Sequence, residues 1–230
     1  MHEEFPAPLK SLILDIKNQS RMDNSILIDI VQANKLASKD IAPFMTFDHE
    51  NTQSYGRKLI YDNGNFQILL MSWTPGDCTA IHDHGYIEWG CEHFFNETTH
   101  RTYKIENGEL KIAEKDNSQT DQIASVSGDL IHLLCNLDTE KIATLHIYGS
   151  NTRSNKIAEG TKVYIPELKK VLTTMGSAYL NMNTDSMSSD MPDNLIGEDV
   201  LKDYYTLVKP FYKRIKHWDI LSEIDKYLTG

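Results

Sequence analysis

Apolar positions fall into three textures along the 230 residues. Up to about Met45 they recur at helical spacing. Pro8-Leu9-Lys10-Ser11-Leu12-Ile13-Leu14-Asp15-Ile16 opens on a proline, which a first helical turn tolerates. Ile26, Leu27, Ile30 and Val31 follow a cap at Asp23 or Asn24. No glycine occurs before Gly56, which fits helices better than hairpins. From Tyr55 to Tyr148 the apolar runs shorten, gain Ile, Leu, Tyr and Thr, and are cut by turn signals. These are Asp62-Asn63-Gly64-Asn65, Thr74-Pro75-Gly76-Asp77, Glu106-Asn107-Gly108-Glu109 and Ser127-Gly128-Asp129. The two Asn-Gly pairs predict hairpins, since both central residues of a type I′ turn need positive φ. Short strands about ten residues apart predict an antiparallel sandwich or barrel. After Tyr164 helical texture returns. Gly176 to Asn194 reads as a polar loop. Leu201, Tyr204, Leu207 and Val208, then Phe211, Ile215, Trp218, Leu221 and Ile224, predict helices with a break or kink at Pro210. The expected boundaries are a helical segment over 1–47, a β-barrel over 48–152, and a helical extension over 153–230 packed on the barrel.

Hydrophobic residues make up 40% of the chain and charged residues 24%, a balance that excludes a wholly disordered protein. Lys plus Arg is 23 against 33 Asp plus Glu, a net charge of −10. That charge repels phosphate backbones and anionic lipid, so neither nucleic acid nor a membrane is expected as a partner. The longest apolar runs, such as Ile68 to Met71, are too short to span a bilayer. The opening His2-Glu3-Glu4 has no secretion-signal character. Three cysteines, an odd count without CxxC spacing, point to a reducing compartment rather than a disulfide framework. The expectation is a cytoplasmic protein.

His82 and His84 flank Asp83 just after a predicted strand, where residues two apart point to one side. Two imidazoles so placed begin a metal site, or are simply exposed loop histidines. The stretch Gly76-x5-His82-x-His84-x3-Glu88 resembles the first motif of the cupin family. Gly128-x3-His132-x3-Asn136 resembles the second, with one more residue than usual between glycine and histidine. The resemblance implies a mainly β cupin core, a jelly-roll barrel or sandwich, to which the helical spacing adds N-terminal helices and a C-terminal helical extension. It also places His82, His84 and His132 at the barrel mouth. Three neutral imidazoles leave a divalent metal with open positions, and donor softness admits Zn, Fe, Ni, Cu or Mn.

The likeness sharpens to the thiol dioxygenases, the cysteine dioxygenase branch of the cupins. Tyr55-Gly56-Arg57-Lys58-Leu59 resembles that family's Tyr-x-Arg strand, Ile81-His82-Asp83-His84 its Ile-His-Asp-His, and Thr144-Leu145-His146-Ile147-Tyr148 its Ser-x-His-x-Tyr strand. The resemblance implies Fe(II), or another first-row divalent metal, held by His82, His84 and His132. It implies O2-dependent oxidation of a small thiol carboxylate, cysteine or a relative such as 3-mercaptopropionate, to its sulfinic acid. Arg57 and Tyr55 would bind that substrate, and Thr144 would orient His146, which orients Tyr148. No organic cofactor is needed. By themselves, Thr144, His146 and Tyr148 also fit a strand with a merely hydrogen-bonded polar face. His146 is a possible ligand, but the x3-Asn following His132 favours His132.

The sequence departs from the pattern in places. Glu88 occupies the carboxylate position of the general cupin motif, as a possible fourth ligand or a group paired at the cavity edge. Trp89 stands where animal cysteine dioxygenases carry a cysteine bonded to the relay tyrosine, and Cys91 lies two residues further. No thioether to Tyr148 is expected, and Cys78, Cys91 and Cys135 read as small buried apolar residues. Gly149-Ser150-Asn151 lacks the Ser-Pro pair of enzymes that use cysteine itself. His49, His93, His100 and His217 read as surface or packing residues. Arg57 fits either a carboxylate substrate or an ion pair with Glu88 or Asp83. Two other functions fit these residues: a metal cupin with different oxygenase or isomerase chemistry through Glu88, and a non-catalytic cupin binding module. The sequence does not give the oligomeric state.

Overall fold

A computed structural model describes residues 5–154, 156–182 and 188–229. The helical pattern at the N-terminus becomes α1 (Ala7–Lys17), α2 (Asn24–Asn34) and the single-turn α3 (Ser38–Ile41). Asp23 caps α2, its carboxylate accepting the Ile26 N–H at 2.9 Å. Asn24 ties the helix to the sheet beneath: its amide donates to Ser125 Oγ, and its Oδ1 accepts the Gly90 N–H.

The strands follow as β1 (Gly56–Asp62), β2 (Phe66–Trp73), β3 (Ile81–His82), β4 (Trp89–Phe94), β5 (Thr98–Glu106), β6 (Glu109–Ser118), β7 (Ile123–Val126), β8 (Ile131–Cys135), β9 (Ile142–Gly149), β10 (Thr161–Ile165), β11 (Lys170–Thr174) and β12 (Ser188–Asp190). They form two sheets, ordered β1-β2-β9-β4-β7 and β12-β11-β10-β3-β8-β5-β6. Every pairing between these strands is antiparallel. Asn107 and Gly108, with φ of 52° and 79°, turn β5 into β6 as the type I′ signal predicts. The β1–β2 turn differs. There only Gly64 of the Asn63-Gly64 pair has positive φ, and Asn63 Oδ1 accepts the Asn65 and Phe66 N–H groups instead.

Alternation along the strands sorts the chain into layers. Ile68, Leu70, Leu145, Ile147 and Cys91 face outward from the first sheet and pack against Leu9, Leu12, Ile13, Leu27 and Val31 of α1 and α2. Leu69, Met71, Trp73, Phe94 and Tyr148 face the other way, into the space between the sheets. Ile81, Ile131, Leu133 and Val163 face outward from the second sheet. They pack against Tyr204, Val208 and Phe211 of α4 (Glu198–Arg214) and Ile224 of α5 (Trp218–Thr229).

Four expectations need correction. The chain after Tyr164 is not helical at once: β10, β11 and β12 extend the second sheet, because Thr161 to Ile165 pairs with both β3 and β11 and Lys169, at φ 50°, reverses the chain after Pro166. The polar stretch from Gly176 to Asn194 contains β12, and residues 183–187 of it lie outside the described residues. Pro210 does not break the helix. Thr206, whose carbonyl loses its partner there, lies on the exposed side, and α4 ends instead at Arg214, just before Lys216 with φ 57°. Finally, Cys78 and Cys135 are joined in a disulfide and only Cys91 is a free thiol. They sit directly opposite each other on antiparallel neighbours, with Cα atoms 4.1 Å apart. The reducing-compartment argument drawn from the cysteines therefore loses its footing. Among the described residues, no helix is long and apolar enough to cross a membrane.

Candidate metal centre

His82 ends β3 and pairs across the sheet with His132 of β8, so both rings face the space between the sheets. His84 follows in a turn that Asp83 holds. The Asp83 carboxylate accepts the Gly85 N–H at 3.0 Å and the Lys162 N–H at 2.7 Å. Gly128 of the second motif packs so closely on this turn that a Cβ there would lie 2.6 Å from the Gly85 carbonyl oxygen. The Gly128 carbonyl accepts the His84 N–H. Each motif thereby shapes the other.

His82, His84 and His132 are buried, and one nitrogen of each lies within 4.8 Å of the others. The Nε2 atoms of His82 and His132 are 3.2 Å apart. His82 Nδ1 donates to the Ala80 carbonyl at 2.9 Å and His84 Nδ1 to the Leu130 carbonyl at 3.0 Å. Since a carbonyl only accepts, each Nδ1 carries the hydrogen and each Nε2 keeps its lone pair. His84 Nε2 is buried without any partner. Burial pushes His82 down to about 3, helped by the neighbouring His84. It also lowers His84, and holds His132 well below the ordinary imidazole value. Three neutral imidazoles with converging lone pairs, one of them orphaned, fit a divalent metal of the borderline first-row kind.

Facing this trio is the inner side of β9. Thr144 Oγ1 lies 2.7 Å from His146 Nε2, and His146 Nδ1 lies 2.7 Å from Tyr148 Oη. The Trp73 indole N–H donates to Thr144 Oγ1 at 3.0 Å. Gly90 sits opposite Tyr148 on β4, where a Cβ would come within 2.9 Å of the phenol ring. The Tyr148 ring stands edge-on to His84, centroids 5.4 Å apart. His146 therefore belongs to this chain rather than to the cluster of three. A small cavity is lined by the three histidines, His146, Tyr148, Tyr55 and apolar groups including Met71, Trp73 and Leu134.

Tyr55 stacks on Tyr179 and packs against Trp73, its hydroxyl accepting the Ala178 N–H. Arg57 lies opposite Met71 in the β1–β2 register and thus shares that residue's inward face. Its Nε is buried without a hydrogen-bond partner. Neither expected ion-pair partner holds it: Asp83 serves the turn, and Glu88 is exposed and accepts from the Asn151 N–H and the Thr152 hydroxyl. The structure thus removes Glu88 from the cavity, because the chain turns over Gly85 to Glu88 and leaves that side chain at the outer rim.

The carboxylate near the cluster is Glu92, four residues further on, which the sequence reading missed. It is fully buried on β4, opposite His146, with Oε1 3.1 Å from His146 Nδ1 and 3.6 Å from His132 Nε2. Burial opposes its charge, but the imidazoles of His132 and His146 hold its carboxyl well below the usual range. Burial and the Glu92 charge in turn push the Tyr148 phenol well above its ordinary value. His100 was also missed: its Nε2 lies 3.1 Å from His132 Nδ1 and supports that ring from behind. A charged residue amid the apolar run Trp89 to Phe94 was the available signal for Glu92.

Two facing antiparallel sheets with a histidine trio between them make this a mainly β cupin. Residues 1–155 match the family of cysteine dioxygenase type I, and the chain belongs to that family. Among solved structures it resembles an uncharacterized conserved protein with a double-stranded β-helix domain from Klebsiella pneumoniae, at 13% identity over 52% of this chain and 92% of that one, TM-score 0.37. It also resembles the oxalate decarboxylase of Lactobacillus farciminis, at 14% identity over 46% of this chain and 31% of that one, TM-score 0.37. That of Bacillus subtilis matches at 14% identity over 50% and 30%, TM-score 0.38.

Proposed function

We propose that this protein is a non-haem Fe(II) thiol dioxygenase acting on a small thiol carboxylate, cysteine or a relative such as 3-mercaptopropionate. The balanced reaction is R–SH + O2 giving R–SO2H, in which sulfur is oxidised and both oxygen atoms are taken up. The observation that carries this reading is the meeting of three neutral imidazoles with a buried phenol across one small cavity, in a chain of the cysteine dioxygenase type I family. His82, His84 and His132 would hold the iron ion, whose chemistry when bound would be to bring thiol and O2 together and turn an encounter into a positioned pair.

The protein's own groups do the rest. The carbonyls of Ala80 and Leu130 fix the ring orientation of His82 and His84, and His100 backs His132. Met71, Trp73, Leu134 and Ile87 exclude water from the cavity. Tyr148 donates a hydrogen bond to charge developing on oxygen as sulfur is oxidised. The raised phenol keeps its proton at neutral pH. Arg57, whose buried Nε has no hydrogen-bond partner, takes the substrate carboxylate from the inward face of β1. The test is O2 uptake and sulfinate formation by iron-loaded protein over cysteine, 3-mercaptopropionate and cysteamine. Turnover of the two carboxylates is expected; no turnover of any thiol, with iron bound, refutes the proposal.

A further inference from the structure

We propose that Tyr179 walls the Arg57 end of the cavity and so limits the site to small, free thiol carboxylates. Thiols whose amino group carries an acyl or peptidyl extension are excluded. This rests on reading Arg57 as the holder of the substrate carboxylate, and makes Tyr179 a specificity-determining residue for that site.

Tyr179 belongs to a strap, residues 176–180, that follows β11 and lies beyond the residues 1–155 matched by the family. Hydrogen bonds pin the strap to the barrel. The Ala178 N–H donates to the Tyr55 hydroxyl at 3.0 Å, and the Ala178 carbonyl accepts the Ala80 N–H at 2.9 Å. The Leu180 N–H donates to Ser54 Oγ at 3.1 Å. Gly176, at φ 98°, lets the strap pass tightly over Ala158, since a Cβ there would lie 2.6 Å from the Ala158 methyl. Gly176 and Ala158 both line the cavity. Fixed at 178 and at 180, the backbone holds residue 179 at the same rim.

The Tyr179 ring completes the wall. It stacks on Tyr55, centroids 4.5 Å apart and planes 26° from parallel, and packs against the inner cluster that contains Met71, Trp73 and Tyr148. Being half-exposed, it stands between that cluster and solvent. Arg57 lies beside it. The arginine shares the inward face of Met71, and its charge opposes the burial that raises the phenols of Tyr55, Tyr148 and Tyr179. A carboxylate held there brings its α-carbon, with whatever that carbon bears, against the stacked pair. Hydrogen or a bare ammonium is small enough to lie beside the rings. An N-acyl group must occupy the space that Tyr179 fills.

The test is calorimetric binding of cysteine and N-acetylcysteine to zinc-loaded protein, since zinc suits the same ligands and no O2 is consumed. Wild type is expected to bind cysteine about tenfold more tightly or better. Tyr179→Ala is expected to weaken cysteine about threefold, as its α-carbon loses the wall, and to strengthen N-acetylcysteine about tenfold. A ring that only supported the fold would weaken both alike. Tyr179→Phe, which keeps the ring, is expected to keep the wild-type ratio. Equal affinities in wild type, continued exclusion by Tyr179→Ala, or admission by Tyr179→Phe overturns the inference, and the first result needs no variant to fold. In the same assay, cysteine binding unmoved by Arg57→Lys refutes the carboxylate reading of Arg57. The ratio involves no O2, so an inactive thiol panel refutes the dioxygenase reading separately.

Discussion

Replacing Arg57 by lysine separates a substrate-binding arginine from a structural one. The guanidinium is half-buried, its Nε is wholly inaccessible and unpartnered, and neither Asp83 nor Glu88 pairs with it. Such a donor awaits an anion, since leaving it unpaired costs about 1–3 kcal/mol. A carboxylate engaged bidentately makes two charge-assisted bonds. Lysine keeps one of them, so the loss is one such bond, about 1.5–3 kcal/mol. At roughly 1.36 kcal/mol per tenfold, Arg57→Lys should lower kcat/KM for 3-mercaptopropionate or cysteine roughly 10- to 150-fold. The loss should fall mainly on KM. Cysteamine, which has no carboxylate, should change less than about threefold, since no bond to Arg57 is lost. Arg57→Met adds an independent readout. A charge kept for a ligand contributes nothing to the empty fold, so Tm should hold or rise by a few degrees. Equal losses for both kinds of thiol, or a Tm lowered by several degrees in Arg57→Met, would refute the reasoning and make Arg57 a structural charge.

His84→Ala, removing the ligand whose Nε2 stands orphaned, should abolish most iron binding measured by metal analysis while far-UV circular dichroism stays unchanged. Tyr148→Phe should retain iron and KM but lose about two orders of magnitude in kcat, equivalent to the roughly 2–4 kcal/mol of one preorganised donor. Alkylation of the unfolded, unreduced chain should label Cys91 alone, and reduction should expose Cys78 and Cys135 and cost stability by about 4 kcal/mol, the loop-closure value for residues 57 apart. Burial pushes the Glu167 carboxyl up to about 7, against the pull of the Tyr212 and Tyr204 hydroxyls. The folded protein thus holds a proton that the unfolded chain releases near 4.5, and stability falls as pH rises from there to about 7. Wild type should therefore gain about 2 kcal/mol, a few degrees of Tm, on Glu167→Gln between about pH 7.5 and about pH 5. The difference removes the opposite trend from His82, a neutral imidazole that loses stability as pH falls from 6.5 toward about 3.

What could be read from the chain was local. His82 and His84 converge two residues apart, although His84 lies in the turn after β3, while Thr144, His146 and Tyr148 line up because strand residues alternate. The hairpins at both Asn-Gly pairs and the Asp23 cap act within a few residues of themselves and were legible, though only Asn107-Gly108 takes the type I′ form. The rest depends on pairings between distant strands. Glu92 reaches His146 only because β4 lies beside β9, and His100 reaches His132 only because β5 lies beside β8. The Cys78–Cys135 bond likewise needs two positions 57 residues apart to face each other. Glu88 misled because motif spacing assumes a continuous strand, whereas a turn intervenes at Gly85. β10 to β12 are short and interrupted by Pro166, so their texture resembled that of the helices beyond.

The most direct measurement of the central claim is the fate of ¹⁸O2 in the iron-loaded protein with 3-mercaptopropionate or cysteine. The account predicts one O2 consumed per thiol and a sulfinate carrying both labelled atoms, a product lost together with iron in His84→Ala. A disulfide or an unlabelled product, or sulfinate formed equally well by His84→Ala, would contradict it.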